Sequence, residues 1–454
     1  MSNQFTDISQ SRFDALGGYC RGPTLVLFSR EIRWLQAWDE TILIAVVEDQ
    51  DGDFTAIAFT RDLNERYRFF GMSAFFDTPA EVMADLPELI ARVMKEFEEH
   101  PAQGDEKRKS VDFFTPIVAE AQLNADFKKL TTLEQFSPAL ELIKPMMRWH
   151  EDADGNFIQQ FQTTGFDTRL WELYIFAMLV EARHALNKED AIPDFCAISV
   201  SGKVCIEATS VNPSLDADGK KIPPPSLDTP EQLRQFQQNY MPIRYAGPLT
   251  KKLQMKYWER ENVKGRPFVM AIQDFHAPGS MAYSRTALPI YLYGMDWDPE
   301  QLASGELVIK PRRVLVHQWG TKTVESGFFN LPGAENISAV ITNASADISK
   351  FNRMGIMTGF GSKRVKIVRR GMAADPNPNS SSPRSFVHDV NAADYVETWI
   401  EGLDVYHNPN ALAPLNPQQF PGAAHHRLRR DGQLETSAPI WHPFNSSTAV
   451  FLKD

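Results

Sequence analysis

Three acids, Glu172, Asp194 and Glu207, are the residues whose types and spacing could do chemistry. Glu172 shares a helical face with Ile175 and Phe176, and Arg169 and Arg183 are its candidate partners. A carboxylate on such a face is either paired or put to use, because burying an unpaired charge is costly. Asp194 follows Pro193 ahead of the run Phe195 to Val200, and Glu207 lies in the run Lys203 to Val211. Ser201-Gly202 between the runs predicts a hairpin with a two-residue turn. That register sets Val200 against Lys203, Cys196 against Glu207 and Asp194 against Thr209. Side chains alternate along a strand, so Asp194, Glu207 and Thr209 would share a face. A three-residue loop would turn Glu207 to the other face.

The element that must position Glu172 is a helix. Leu170, Trp171, Tyr174, Ile175, Met178, Leu179, Ala182 and Leu186 recur at three- and four-residue intervals, which predicts one broad apolar face running through Leu186.

A helical Glu, a Pro-Asp opening a strand and a Glu on the next strand resemble the PD-(D/E)xK nuclease superfamily, over roughly residues 165–275. The resemblance implies a restriction-endonuclease-like core, with Asp194 and Glu207 as ligands of a catalytic Mg²⁺ (or Mn²⁺) and Glu172 assisting at the metal. Hard divalent cations take oxygen ligands, and Mg²⁺ is usually held by one or two carboxylates with water and phosphate. The metal then lowers the pKa of its water and stabilises displacement at phosphorus. Two departures stand out. Thr209 occupies the place where the superfamily usually has Lys, and the gap from Asn187 to Ile192 is too short for the strand that often separates helix and Asp. The missing cation is expected from the helical segment Leu249 to Trp258, where Lys252 and Lys256 are four apart and share a face. Gln254 and Tyr257 in that segment resemble the glutamine and tyrosine of the exonuclease-like branch, with the spacing off by one.

The chain has 454 residues, a length prior of about three domains. Its start lacks the basic flank and apolar core of a secretory signal. The longest apolar run, Leu173 to Val180, is too short to span a membrane. Three cysteines give neither a disulfide framework nor a zinc spacing, so cytoplasmic residence is expected. Net charge is −11, which argues against a sequence-independent nucleic-acid binder. A local exception runs from Lys350 to Gly371. Within it Lys363, Arg364, Lys366, Arg369 and Arg370 are candidate phosphate contacts, although a charge run is more often a solvated face. About six such contacts would cost about 10³–10⁵ in affinity between 50 and 200 mM salt.

The expected class is α/β, α+β overall, in three parts. Residues 1–125 form an α+β domain, with a hairpin turning at Asp51-Gly52 and a helix entered through the capping box Thr78 to Glu81. Residues 126–305 hold the nuclease-like core, and residues 306–454 a β- and loop-rich region. His407, His425, His426 and His442 in that last region match no zinc spacing and are expected to make ordinary hydrogen bonds. Two functions from different classes follow. One is a metal-dependent deoxyribonuclease, with DNA as partner and pairing of copies left open. The other is an inactive nuclease-like fold that binds nucleic acid or protein, for which Thr209 and the acidic charge speak.

Overall fold

The computed structural model describes residues 5–106, 111–149, 155–187, 192–377, 379–380 and 382–453. Strands β1 (Phe5–Asp7), β2 (Ser29–Ala37), β3 (Ile42–Asp49), β4 (Phe54–Arg61) and β5 (Tyr67–Met72) form an antiparallel sheet in chain order. Helix α1 (Pro79–Glu99) begins at the expected capping box, where Glu81 N–H donates to Thr78 Oγ1 at 3.4 Å and Thr78 N–H donates to Glu81 Oε2 at 3.0 Å. Its stripe of Val82, Leu86, Leu89, Ile90 and Val93 packs on Ile42, Ile44, Val46, Ala56 and Ala58. The acids of the β3–β4 turn serve the turn itself: Asp49 accepts the N–H groups of Asp51 and Asp53.

After α2 (Ser137–Trp149) comes α3 (Phe166–Glu181), in which every residue from Leu170 to Val180 is buried. A helix that is apolar all round belongs inside the protein, so the expected single stripe is too narrow a description. The helix also stops earlier than its periodicity suggests. Arg183 turns left-handed at φ 59°, and Leu186 belongs to a strand, β6 (Ala185–Asn187), which pairs with β7 (Phe195–Ser199). A strand between helix and Asp therefore exists. It is cut from residues that fit the helical period.

The main sheet continues through β8 (Gly202–Val211), then α4 (Met241–Gln254) and β9 (Phe268–Asp274). Two small hairpins follow, β10 (Met295–Gln301) with β11 (Leu307–Arg313), and β12 (Val316–Trp319) with β13 (Lys322–Glu325). Then come β14 (Ala339–Asn343), α5 (Ile348–Met357), β15 (Val365–Ala373), β16 (Arg384–Asp389), β17 (Leu403–His407), β18 (Ala424–Leu428), β19 (Leu434–Ser437) and β20 (Pro443–Leu452). The eight-stranded order is β19-β18-β17-β14-β9-β8-β7-β6, with β8, β9 and β14 mutually parallel. Four of these strands lie beyond residue 305, so the central sheet runs across that boundary. Helices α2 and α5 tie the same two segments together, since a Cβ on Gly355 would lie 2.3 Å from Pro138 O. A smaller sheet, β16-β15-β20, carries much of the basic segment.

Strand β8 divides its side chains between two cores. Val204, Ile206 and Ala208 pack with α3, while Cys205 and Val211 join the core of Leu249 and Leu253 on α4. Alternation puts Glu207 on the α4 side.

Candidate functional site

The site is built on the β7–β8 hairpin. Its register pairs Ser199 with Gly202, Ile198 with Lys203, Cys196 with Cys205 and Phe195 with Ile206. The turn is thus Val200-Ser201, and the expected pairings of Cys196 with Glu207 and Asp194 with Thr209 are replaced by a register two residues away. Local chemistry selects it. Ser201 N–H donates to Ser199 Oγ at 3.2 Å inside the turn, and Gly202 takes the first paired position at φ 106°, a conformation open to glycine. One step beyond the last pair, Asp194 stands across from Glu207. The two interlock: Ala208 N–H donates to Asp194 Oδ2 at 2.7 Å, and Asp194 N–H donates to Glu207 Oε2 at 3.3 Å.

Helix α4 supplies the cation. Lys252 Nζ donates to Glu207 Oε1 in an ion pair with Glu207 buried and Lys252 partly exposed. The ammonium also lies 5.8 Å from the centre of the Tyr257 ring. Burial works against the charge on Lys252, but Glu207 and Asp194 outweigh it and hold its pKa above the usual lysine value. Lys256 is not part of this group. The helix ends at Gln254, Lys256 is left-handed at φ 50°, and its exposed ammonium faces Glu259 at 3.6 Å. The expectation that both lysines share one helical face fails because the helix stops between them.

Glu172 is clamped by Arg169, whose Nη1 donates to both carboxylate oxygens at 3.0 and 2.7 Å. Arg169 is itself fixed by Gln160, at 2.6 Å from Nη2. Burial raises the pKa of Glu172, Glu207 adds to the rise, and Arg169 opposes it. Asp194 is exposed as a residue, but its carboxyl is turned into the protein. That burial, then Glu207 and Glu172, raise its pKa well above the ordinary aspartate value. Thr209 lies two residues past Glu207, paired with Ile272 of β9, and among the described residues no hydrogen bond joins it to the carboxylates.

The fit to a divalent cation rests on two acids. Among the described residues no three His, Cys, Asp or Glu side chains converge on one ion position. Asp194 and Glu207 are brought together, with Glu207 also engaged by Lys252 through Oε1, whereas Glu172 is held on both oxygens by Arg169. Two adjacent carboxylates are nonetheless what Mg²⁺ asks of a protein when water and phosphate complete its shell. The donor set therefore fits.

The basic segment is partly structural. Arg369 is 1% exposed, bonded through Nη1 to Glu401 at 2.6 Å, and cannot meet a phosphate. Arg364 pairs with Glu134 at 2.8 Å, Lys363 donates to Gly359 O and Arg370 to Ser447 Oγ. Lys366 is half-buried. Among the described residues no hydrogen bond or ion pair links any of the five to Asp194, Glu207 or Lys252. The C-terminal histidines make hydrogen bonds: His426 and His442 both reach Asp404, at 2.9 and 3.1 Å, and His407 meets His425 at 2.9 Å.

Two polar residues at the start of α3 have no signal in the sequence. Asp167, at the start of α3, has its pKa pushed up to about 6 by burial, then by Asp126. Its neighbour Thr168 bonds Ser210 of β8 at 2.6 Å. No spacing rule marks either. No family model, curated protein or solved structure matches the chain.

Proposed function

We propose that the protein is a metal-dependent nuclease acting on DNA, with Asp194 and Glu207 as the metal-holding pair. The observation that supports this reading most is the Lys252–Glu207 ion pair, which brings to the carboxylates the cation that Thr209 does not provide. Mg²⁺ or Mn²⁺ bound there would lower the pKa of its water and stabilise charge developing at phosphorus. The chain's own residues do the rest. Asp194 and Glu207 fix the position through their backbone interlock, and Glu172, neutralised by Arg169, adds no further ligand. Lys252 remains protonated beside Glu207 and offers its donors to an incoming phosphate oxygen.

The decisive assay is cleavage of plasmid and single-stranded DNA with Mg²⁺ and Mn²⁺, comparing wild type with Asp194→Asn and Glu207→Gln. Cleavage by wild type alone supports the reading; undiminished cleavage by both variants sinks it.

A binding module without chemistry is the second reading. It is favoured by the same ion pair seen from the other side, because a Glu207 already neutralised by Lys252 is a poorer metal ligand. This reading expects no divalent-ion affinity tighter than millimolar, and partner binding that survives both substitutions.

A further inference from the structure

Cys196 and Cys205 face each other across the β7–β8 hairpin, with Sγ atoms 2.8 Å apart. The N–H of Cys205 points away from Cys196 and donates to Pro267 O, just ahead of β9, at 2.9 Å. The two cysteines are therefore a non-hydrogen-bonded pair of the antiparallel ladder, where Cα atoms come closest, at about 4.5 Å. A disulfide spans Cα separations of about 4.4–6.8 Å, so the backbone already meets its demand. Most opposed pairs of side chains leave the strands free to breathe; two thiols at this position can be joined.

The pair also sits where joining would matter. Alternation along each strand puts Cys196 on the side of Asp194 and Cys205 on the side of Glu207, two residues away in each case. Asn262 bridges the thiols to the segment that leads into Asp194. Its backbone O accepts from Cys205 Sγ at 3.5 Å, while its Nδ2 donates to Ile192 O at 2.9 Å and approaches Cys196 Sγ at 3.8 Å. Ile192 lies two residues before Asp194. The thiols, the Asp194 segment and the Glu207 strand are thus one connected unit.

We propose that Cys196 and Cys205 form a modification site, a dithiol that small disulfides oxidise reversibly to a cross-strand disulfide, clamping the hairpin that carries Asp194 and Glu207. With glutathione disulfide as oxidant, one cysteine thiolate attacks a glutathione sulfur and expels a glutathione thiolate. The second cysteine then attacks the protein sulfur of the mixed disulfide and expels the other. Two protein thiols become one disulfide, one glutathione disulfide becomes two glutathiones, and the two protons lost by the cysteines end on the departing thiols. Closure removes the S–H donor to Asn262 and fixes the strand separation beside the carboxylates. A misplacement of about 1 Å at a catalytic site is enough to change rate.

The test uses the full chain, incubated with glutathione disulfide, denatured and alkylated, with labels counted by mass. The chain has three cysteines. The expected result is a fall from three labels to one, carried by Cys20, together with a linked peptide pair that dithiothreitol separates. Cys196→Ser and Cys205→Ser are each expected to keep both remaining labels, and mapping of the wild type stands even if a variant folds poorly. The effect on cleavage, a several-fold loss on oxidation that Cys196→Ser escapes, rests on the nuclease reading, whereas the label count does not. Three labels retained, or mixed disulfides with glutathione that never resolve, would overturn the proposal.

Discussion

Lys252 on α4 meets Glu207 on β8 across the α4 face of the central sheet, and Asp194 interlocks with the same glutamate through the backbone. One carboxylate thus joins the hairpin to the helix. If the site cleaves DNA, the ammonium is the only cation in contact with the acid pair among the described residues. Lys252→Ala is then expected to lower single-turnover cleavage by about 10²–10³, the scale of removing one preorganised charge donor. Lys252→Arg should restore part of it, and Lys256→Ala should leave the rate within about twofold. Equal losses at both lysines would remove Lys252 from the site.

The crowding of Asp194 sets a pH dependence of stability. Its folded-state pKa lies above the usual 3.8, so its proton favours folding. That contribution is complete below about pH 3.8 and is lost as pH rises through the folded-state pKa. At pH 8 without divalent cation the ionised group opposes folding. Asp194→Asn carries no charge and keeps an oxygen for Ala208 N–H. It is therefore expected to melt above wild type at pH 8 in EDTA, with the two converging near pH 4. Mg²⁺ should reverse the order at pH 8 by stabilising wild type alone. Identical melts at pH 8 in EDTA would show that the carboxylates do not repel.

The buried ion network of the C-terminal half gives a prediction about stability. Glu397 receives Arg353 through Nε and Nη2, both at 2.8 Å, with Lys350 and Arg369 each at 3.5 Å. Burial opposes its charge, but Arg353, Arg369 and Lys350 outweigh it and hold its pKa far below the carboxylate range. Removing one partner leaves a buried charge uncompensated. Glu397→Gln and Arg369→Ala are each expected to cost about 3–5 kcal/mol, measured by urea unfolding. A cost below about 1 kcal/mol would mean that water reaches the cluster.

Much of this arrangement was legible in the sequence, and the failures have physical causes. The helix before Asp194 and the hairpin after it follow from apolar period and turn chemistry. The register is not legible because Ser201-Gly202 has the composition of a two-residue turn, whereas Ser199 holds Val200-Ser201 there and Gly202 begins the strand. Strand β6 is hidden because Leu186 fits a helical period as well as a strand, and the left-handed Arg183 that separates the two has no spacing signature. That β14, β17, β18 and β19 join the same sheet was beyond reach, since strands paired across long insertions leave no local trace. Arg369 is different: Val365, Ile367 and Arg369 alternate with Lys366 and Val368, so the strand period already put this arginine on the face of two buried residues.

That burial changes what salt should do to DNA binding. With Arg369 inside and Arg364 engaged by Glu134, Lys363, Lys366 and Arg370 remain for phosphate. Three contacts give a slope of about −2.7 in log affinity against log salt, so a rise from 50 to 200 mM should weaken duplex binding about 40-fold, well short of the about 10³–10⁵ that six to ten contacts would cost. Replacing all three with Glu should flatten the response without changing the metal dependence of cleavage, because none of them touches the carboxylates. Fluorescence anisotropy with a labelled duplex across that salt range measures the slope. A response that is flat in wild type would exclude the segment from the interface and leave the Lys252 side of the sheet as the place to look for phosphate contacts.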